Sequence, residues 1–329
     1  MQSTAIYAMN AGAGNLHVIF LPFFTSSHAI PLVHVARLFA ARGVRSTIIT
    51  TVQNALLFKS SVDRDILAGF PIAVHTVNFP ALQVGLPIGI ENLNAATTLE
   101  TTSRVYHGMM MLQTTIEQVV RDLAADCIFS DMFFPWTVDL ADELKIPRLL
   151  FYPSCFLYHS ISHSLKVHRP LEKVESESES IVVPNLPDKI TMKRCQVSDH
   201  FKFKTQWGEL LERIHQSETR SYGSVHDTFY EIEPAYADHM KKIKGIGVGV
   251  GAEVWNQSSE INSPIIGRKN IVEAIETLTG GSAIAESIRS GSKEVAMKAK
   301  HAVEEGGSSL NDLTALIDEL KNIKSAPKP

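Results

Sequence analysis

Cysteine is scarce in this 329-residue chain: Cys127, Cys155 and Cys195 are an odd set of 3 with no metal-ligand spacing. That excludes a disulfide framework and points to free or buried thiols in a reducing compartment. Long apolar runs are also missing, and none approaches the ~18 residues of a membrane span. The amino-terminal stretch is small and polar, without the charged-then-apolar pattern of a secretory signal. These absences together predict a cytosolic location. Positive charge is not in excess: the formal net charge is -4, so no basic field is available for nucleic acid or an anionic membrane. No G-x-S-x-G elbow exposes a serine nucleophile. The one glycine-rich tract, Gly245-Ile246-Gly247-Val248-Gly249-Val250-Gly251, fails G-x-G-x-x-G because Val250 and Ala252 stand where glycine is required. It reads instead as a close-packed strand.

What remains is an ordinary globular composition, 44% hydrophobic and 20% charged, with room for one large or two ordinary domains. The chain is organised around residues 16–43, LHVIFLPFFTSSHAIPLVHVARLFAARG. Leu16 to Pro22 is an apolar run of strand length. Thr25-Ser26-Ser27-His28 reads as a polar loop, with Pro31 in the first turn of a helix that Gly43 closes. Strands are predicted at 44–51, 71–77, 126–130, 147–152 and 224–230. Helices are predicted at 55–61, 99–123, 135–144, 156–167 and 207–222, then near 268–278, 284–303 and 310–321. Residues 78–98 read as a long loop, of the kind that is usually functional. Residues 170–190, with Glu172, Glu175, Glu177 and Glu179, read as a solvated acidic loop. The methionine run Met109 to Met111 reads as core or adaptable lining.

Strands alternating with helices imply an α/β fold with a doubly wound parallel sheet. In such sheets the order reverses beside the first strand, so strands one and four can be neighbours, with ligands bound at their carboxyl ends. That ordering brings His28, after strand one, to the same crevice as Asp131, after strand four. A carboxylate there would orient one ring nitrogen while the other takes a proton from a hydroxyl. His17 and His34, on a strand and a helix, read as structural. Ser26 and Ser27 adjoin His28 and keep a hydrolase open on residue type alone.

The segments HVIFLPFFTSSHAIPLVHVARLFAARGVRSTIITT, CIFSDMFFPWTVDLADELKIPRLLFYPSCF, SYGSVHDTFYEIEPAYADHM and VEEGGSSLNDLTALIDELK resemble the plant family-1 UDP-dependent glycosyltransferases. The resemblance implies a GT-B fold of two facing Rossmann-like domains, the first binding the acceptor and the second the UDP-sugar. It implies inverting transfer with no metal and no cofactor, the UDP-sugar being a co-substrate. The acceptor would be a small lipophilic metabolite of phenolic, flavonoid or terpenoid type. His28 matches the family's general base and Asp131 its orienting carboxylate. Ser27 stands where relatives usually have glycine, and Ser154 where a hydroxyl often contacts the sugar.

The family's donor signature begins Trp-Ala-Pro-Gln and continues through His-Cys-Gly-Trp-Asn-Ser. It is absent: after Ala237-Asp238-His239-Met240-Lys241-Lys242-Ile243 the chain passes directly into KGIGVGVGAEVW. The expected division is therefore 1–243 as an acceptor-binding domain and 244–329 as a partial, mainly helical remnant of the donor domain. Such a chain reads as a glycosyltransferase by descent, as a non-catalytic acceptor- or partner-binding derivative, or as the product of a splice or deletion event.

Overall fold

The computed structural model describes residues 16–244, 248–249 and 283–326. It divides into two compact units, one of Met1–Phe151, Gln216–Gly223 and Leu316–Pro329, the other of Tyr152–His215 and Ser224–Ala315. The expected glycine-rich strand at 245–251, apart from Val248 and Gly249, and the expected helix at 268–278 lie outside the described residues.

The first unit is built on parallel strands β1 (His17–Leu21), β2 (Arg45–Thr51), β3 (Ile72–Val77), β4 (Cys127–Asp131) and β5 (Arg148–Tyr152). Their order is β3-β2-β1-β4-β5. Every residue of β1, β4 and β5 is buried. That is why the middles of these strands read as continuous apolar runs rather than as alternation, with polar residues only at their ends. β1 pairs β2 on one side and β4 on the other, with Ile19 opposite both Thr47 and Ile128. The reversal of winding thus falls between β1 and β4, as the alternating pattern implies.

Helix α1 (Ser26–Ala41) differs from expectation by beginning five residues before Pro31. The Thr25 carbonyl accepts the N–H of Ala29 at 2.8 Å, which winds Ser26, Ser27 and His28 into the first turn. The expected loop residue His28 is therefore helical. Gly43, at φ +76°, ends the helix as its position indicates. The single helix expected at 55–61 is instead α2 (Val52–Ala55) followed by α3 (Lys59–Leu67). Burial of Phe58 and Val62 and the Arg37–Asp65 ion pair place α3 further along the chain. The expected helix 99–123 is two, α4 (Leu99–Met111) and α5 (Gln113–Leu123). They part at buried Leu112, whose N–H closes a tight turn on Met109. Helix α6 (Thr137–Leu144) follows β4.

Residues 78–98 form the expected long loop, with one 3-10 turn at Leu82–Val84. The loop is fastened along its length. Phe79 packs so closely on Gly108 of α4 that a Cβ there would lie 2.3 Å from the Phe79 ring. Arg104 bonds the Gly85 carbonyl, and the Glu91 carboxylate accepts the Gln53 N–H at 2.9 Å.

The second unit holds α7 (Phe156–His168) and the antiparallel pair β6 (Ser180–Val182) and β7 (Thr191–Lys193). β6 lies where the sequence predicts only a solvated acidic loop, and β7 begins just past the end of that stretch. Ile181 and Val183, hidden among charged residues, bury against Leu165, Leu171 and Val197 and offset the cost of ordering that stretch. Helix α8 (Gln206–Arg220) leads to β8 (Gly223–His226), which stops short of the expected Tyr230. A tight turn from Thr228 N–H to the His226 carbonyl ends the strand, and a 3-10 turn follows. Helix α9 (Pro234–Lys244) is a further difference, since no helix is predicted there; Pro234 is tolerated because it stands at the helix start. β9 (Val248–Gly249) runs parallel to β8, and α10 (Ala283–Val303) follows. The last helix, α11 (Ser308–Ser325), contributes Leu316 onward to the first unit. Among the described residues no helix is long and apolar enough to cross a membrane.

Candidate functional site

The register of β1 on β4 pairs Leu21 with Ser130. Asp131, the next residue and the last of β4, is thereby level with the point where the chain leaves β1. The chain from Pro22 turns into α1, whose third residue is His28. Two elements adjacent in the sheet but 103 residues apart in sequence thus meet, and His28 Nδ1 lies 2.8 Å from Asp131 Oδ2. A carboxylate oxygen only accepts, so the neutral ring that suits this contact is the one with its proton on Nδ1 and its lone pair on Nε2.

Asp131 is wholly buried, while 16% of the His28 side chain is exposed. The other carboxylate oxygen accepts the Phe133 N–H at 3.0 Å, so both oxygens are engaged and the carboxylate is fixed in place. The imidazole is bounded by aromatic rings, with centroids 5.2 Å from Phe23 and 5.3 Å from Phe133. The Tyr106 ring of α4 lies 5.9 Å from that of Phe23. Its phenol is pushed up to about 12, first by burial and then by the Asp131 charge, and so stays protonated as a donor. These apolar walls strengthen the His28–Asp131 interaction by keeping water from it.

Ser27 neighbours His28 in the same turn, and its hydroxyl lies 2.9 Å from Thr25 Oγ1. Ser154 belongs to the second unit, where its hydroxyl is 2.8 Å from His159 Nε2. His159 packs there against Tyr152 and His226, each at 4.5 Å. His17 bonds Thr47 Oγ1 at 2.9 Å inside the sheet, a structural place as its strand position implies. Among the described residues no group of three or more His, Cys, Asp and Glu side chains is arranged to hold a metal ion.

Sequence reasoning missed Phe23, Phe133 and Tyr106. The first two flank the polar residues that were singled out, so adjacency was their only signal. Tyr106 sits in the methionine-bearing helix with nothing in its local pattern to mark it. Asn94 was missed as well: its Oδ1 accepts the Ser26 N–H at 2.8 Å across the first turn of α1.

No protein-family model matches the chain. The solanidine UDP-glucose glucosyltransferase 1 of Solanum tuberosum is 53% identical over 235 residues, 70% of this chain and 48% of that protein. The nuatigenin 3-beta-glucosyltransferase of Solanum aculeatissimum is 45% identical over 277 residues, 82% of this chain and 55% of its own length. The Glycyrrhiza uralensis UGT73P12 structure with glycyrrhetinic acid 3-O-monoglucuronide superposes at a TM-score of 0.85 and 25% identity, covering 94% of this chain and 96% of that one. The chain spans about half the length of the curated relatives it matches. At 53% and 45% identity over 70% and 82% of its length, the chain belongs to the plant UDP-glycosyltransferases.

Proposed function

We propose that His28 acts as general base in transferring a sugar from a UDP-sugar to a hydroxyl of a small lipophilic acceptor, with Asp131 as its orienting partner. The observation that carries this is the 2.8 Å bond from His28 Nδ1 to a fully buried carboxylate. In the neutral ring this arrangement puts the lone pair on Nε2, and His28 is the more exposed member of the pair. In the reaction Nε2 takes the acceptor O–H proton, the oxygen attacks the anomeric carbon, and the bond from that carbon to the diphosphate oxygen breaks. UDP leaves with the electron pair. Asp131 offsets the charge gained by the imidazole. Phe23, Phe133 and Tyr106 supply an apolar, aromatic surround that suits a lipophilic acceptor. The UDP-sugar is a co-substrate here, and none of the residues described is assigned to its diphosphate.

The test is product formation by the purified chain with UDP-glucose and steroidal, triterpenoid and phenolic acceptors, read by mass spectrometry. His28→Ala and Asp131→Asn are each expected to lower the rate by roughly 10²–10⁴, the range for general acid–base catalysis. The Asn variant acts by reversing the tautomer, because an amide N–H facing Nδ1 moves the ring proton to Nε2. Wild-type rates in His28→Ala would end the proposal.

A second reading is favoured by one observation, the absence of the donor signature after Ile243. That signature is the family's means of stabilising the charge that develops on the departing UDP, a term worth several kcal/mol. The chain would then bind acceptors without transferring sugar. Calorimetry separates the two: micromolar acceptor binding with no UDP binding up to millimolar supports the second reading, and micromolar UDP binding supports the first.

A further inference from the structure

The first turn of α1 carries His28, yet it lacks a cap of its own. Thr25 holds the N-cap position in extended conformation, but its side chain caps no backbone N–H. Its hydroxyl is engaged with Ser27 instead. The turn's own hold on His28 is weak, because the His28 N–H reaches the Thr25 carbonyl only at 3.3 Å. A helix start in this state leaves backbone N–H groups exposed and frays.

The missing cap comes from the loop of residues 78–98. Asn94 Oδ1 accepts the Ser26 N–H at 2.8 Å, and Asn94 Nδ2 donates to Ser26 Oγ at 3.0 Å. The preceding residue, Leu93, donates its N–H to the Phe24 carbonyl at 2.9 Å. Two successive loop residues therefore grip the chain on either side of Thr25. The loop is itself anchored, since Asn54, almost fully buried, donates to the Glu91 carbonyl at 3.2 Å and to Thr51 Oγ1 at 2.8 Å. Asn94 thus acts from a fixed support.

We propose that Asn94 is a positioning residue for His28: it caps α1 from a distant loop and holds the first turn wound so that the imidazole stays on Asp131. This rests on the reading of His28 as the base. It also ties the long loop of residues 78–98 to the group that deprotonates the acceptor. An error of about 1 Å in placing a reacting group is enough to cost orders of magnitude in rate.

The test uses the full-length chain. In NMR spectra the low-field Nδ1–H resonance of His28, assigned by its loss in His28→Gln, reports the bond to Asp131. Asn94→Ala is expected to abolish or broaden that resonance and to speed amide exchange of Ser26, Ser27 and His28 about tenfold or more, with the melting temperature and the other amides of the sheet unchanged. Asn94→Asp keeps an acceptor for the Ser26 N–H and for the Ser26 hydroxyl, and should restore both signals. In the transfer assay, Asn94→Ala should lower kcat about tenfold at an unchanged acceptor KM. An unchanged His28 resonance in Asn94→Ala overturns the proposal. So does a uniform loss of protection throughout the unit, which would make Asn94 merely structural. Undiminished transfer by His28→Ala would instead remove the base assignment and, with it, any catalytic meaning of the cap, even where the NMR result holds.

Discussion

Replacing His17 tests whether burial of the first strand governs the acid stability of the sheet. His17 is 4% exposed, its Nε2 lies 2.9 Å from Thr47 Oγ1, and its own N–H donates to Asp126 Oδ2 at 2.8 Å. Burial, then the nearby Arg45 charge, holds its imidazole down at about 4, with Asp126 pulling weakly the other way. The unfolded chain titrates this histidine near 6.5. The native ring therefore stays neutral where the unfolded ring charges. Stability from this group is complete above about 6.5, falls by about 1.4 kcal/mol per pH unit as pH drops from there, and levels off below about 4. At pH 4.5 the deficit is about 2.5 kcal/mol, against about 0.2 kcal/mol at pH 7. His17→Gln keeps a polar partner for Thr47 and cannot titrate. Urea unfolding, followed by hydrogen exchange of the β1 peptide at pH 7 and 4.5, gives the pH-dependent loss for each protein. Carboxylates common to both cancel in the difference. The variant should lose about 2 kcal/mol less than the wild type. Equal losses would refute the claim that an uncharged His17 is a condition of the fold.

Two further perturbations probe buried polar groups. Arg148, 2% exposed in β5, bonds Ser130 and Thr137 at 3.0 and 3.1 Å and Ser221 at 2.7 Å, joining β4, α6 and the chain end of α8. Arg148→Met should lower stability by roughly 2–4 kcal/mol, because bonds to a charged donor are worth about 1.5–3 kcal/mol each and the direct Ser130–Thr137 bond offsets part of the loss. An unchanged melting temperature would mean that the hydroxyls re-pair fully without it. In the second unit, burial pushes the Asp227 carboxyl up to about 6. Its contribution is fully favourable below the unfolded value near 3.9 and is lost as pH rises through 6, so the ionised group is a liability at neutral pH. Asp227→Asn should stabilise by about 1–3 kcal/mol at pH 7 and by nothing at pH 4, read as melting temperatures across that range.

The parts of this fold that were legible in the sequence are those whose causes are local. β1, β4 and β5 are buried throughout, so the apolar middles of HVIFL, CIFSD and RLLFY stand out between turns. Their adjacency followed from the winding rule for parallel sheets, and that rule alone placed His28 and Asp131 together. Where an element depends on distant partners, reading failed. The start of α1 was misplaced because Thr25-Ser26-Ser27-His28 has the composition of a turn, while its cap, Asn94, lies 68 residues away. The β6–β7 pair was hidden because Ile181 and Val183 are outnumbered by charges that need only point outward. The placement of α11 is an intermediate case. Leu316, Ile317 and Leu320 lie at helical spacing and mark a buried face, but only Lys324 on Asp126 and Glu319 on Tyr222 tell which unit it covers.

The same division runs through the site. The two residues proposed as base and orienting carboxylate are legible, since each ends or follows a strand at the edge where open sheets bind ligands. What makes their arrangement chemically useful is not. A histidine and a carboxylate 2.8 Å apart in water are a weak and interchangeable pair. Here Phe133 gives the carboxylate a backbone donor, the Phe23 and Phe133 rings pack beside the imidazole, and Asn94 holds the turn that presents it. Each supporting residue comes from a different stretch of the chain and has no composition that marks its role. A relative could therefore keep His28 and Asp131 and still lose the geometry through the loop at 78–98. Substitutions there should move rate and acceptor choice together, whereas the sheet beneath, held by local apolar runs, should tolerate them.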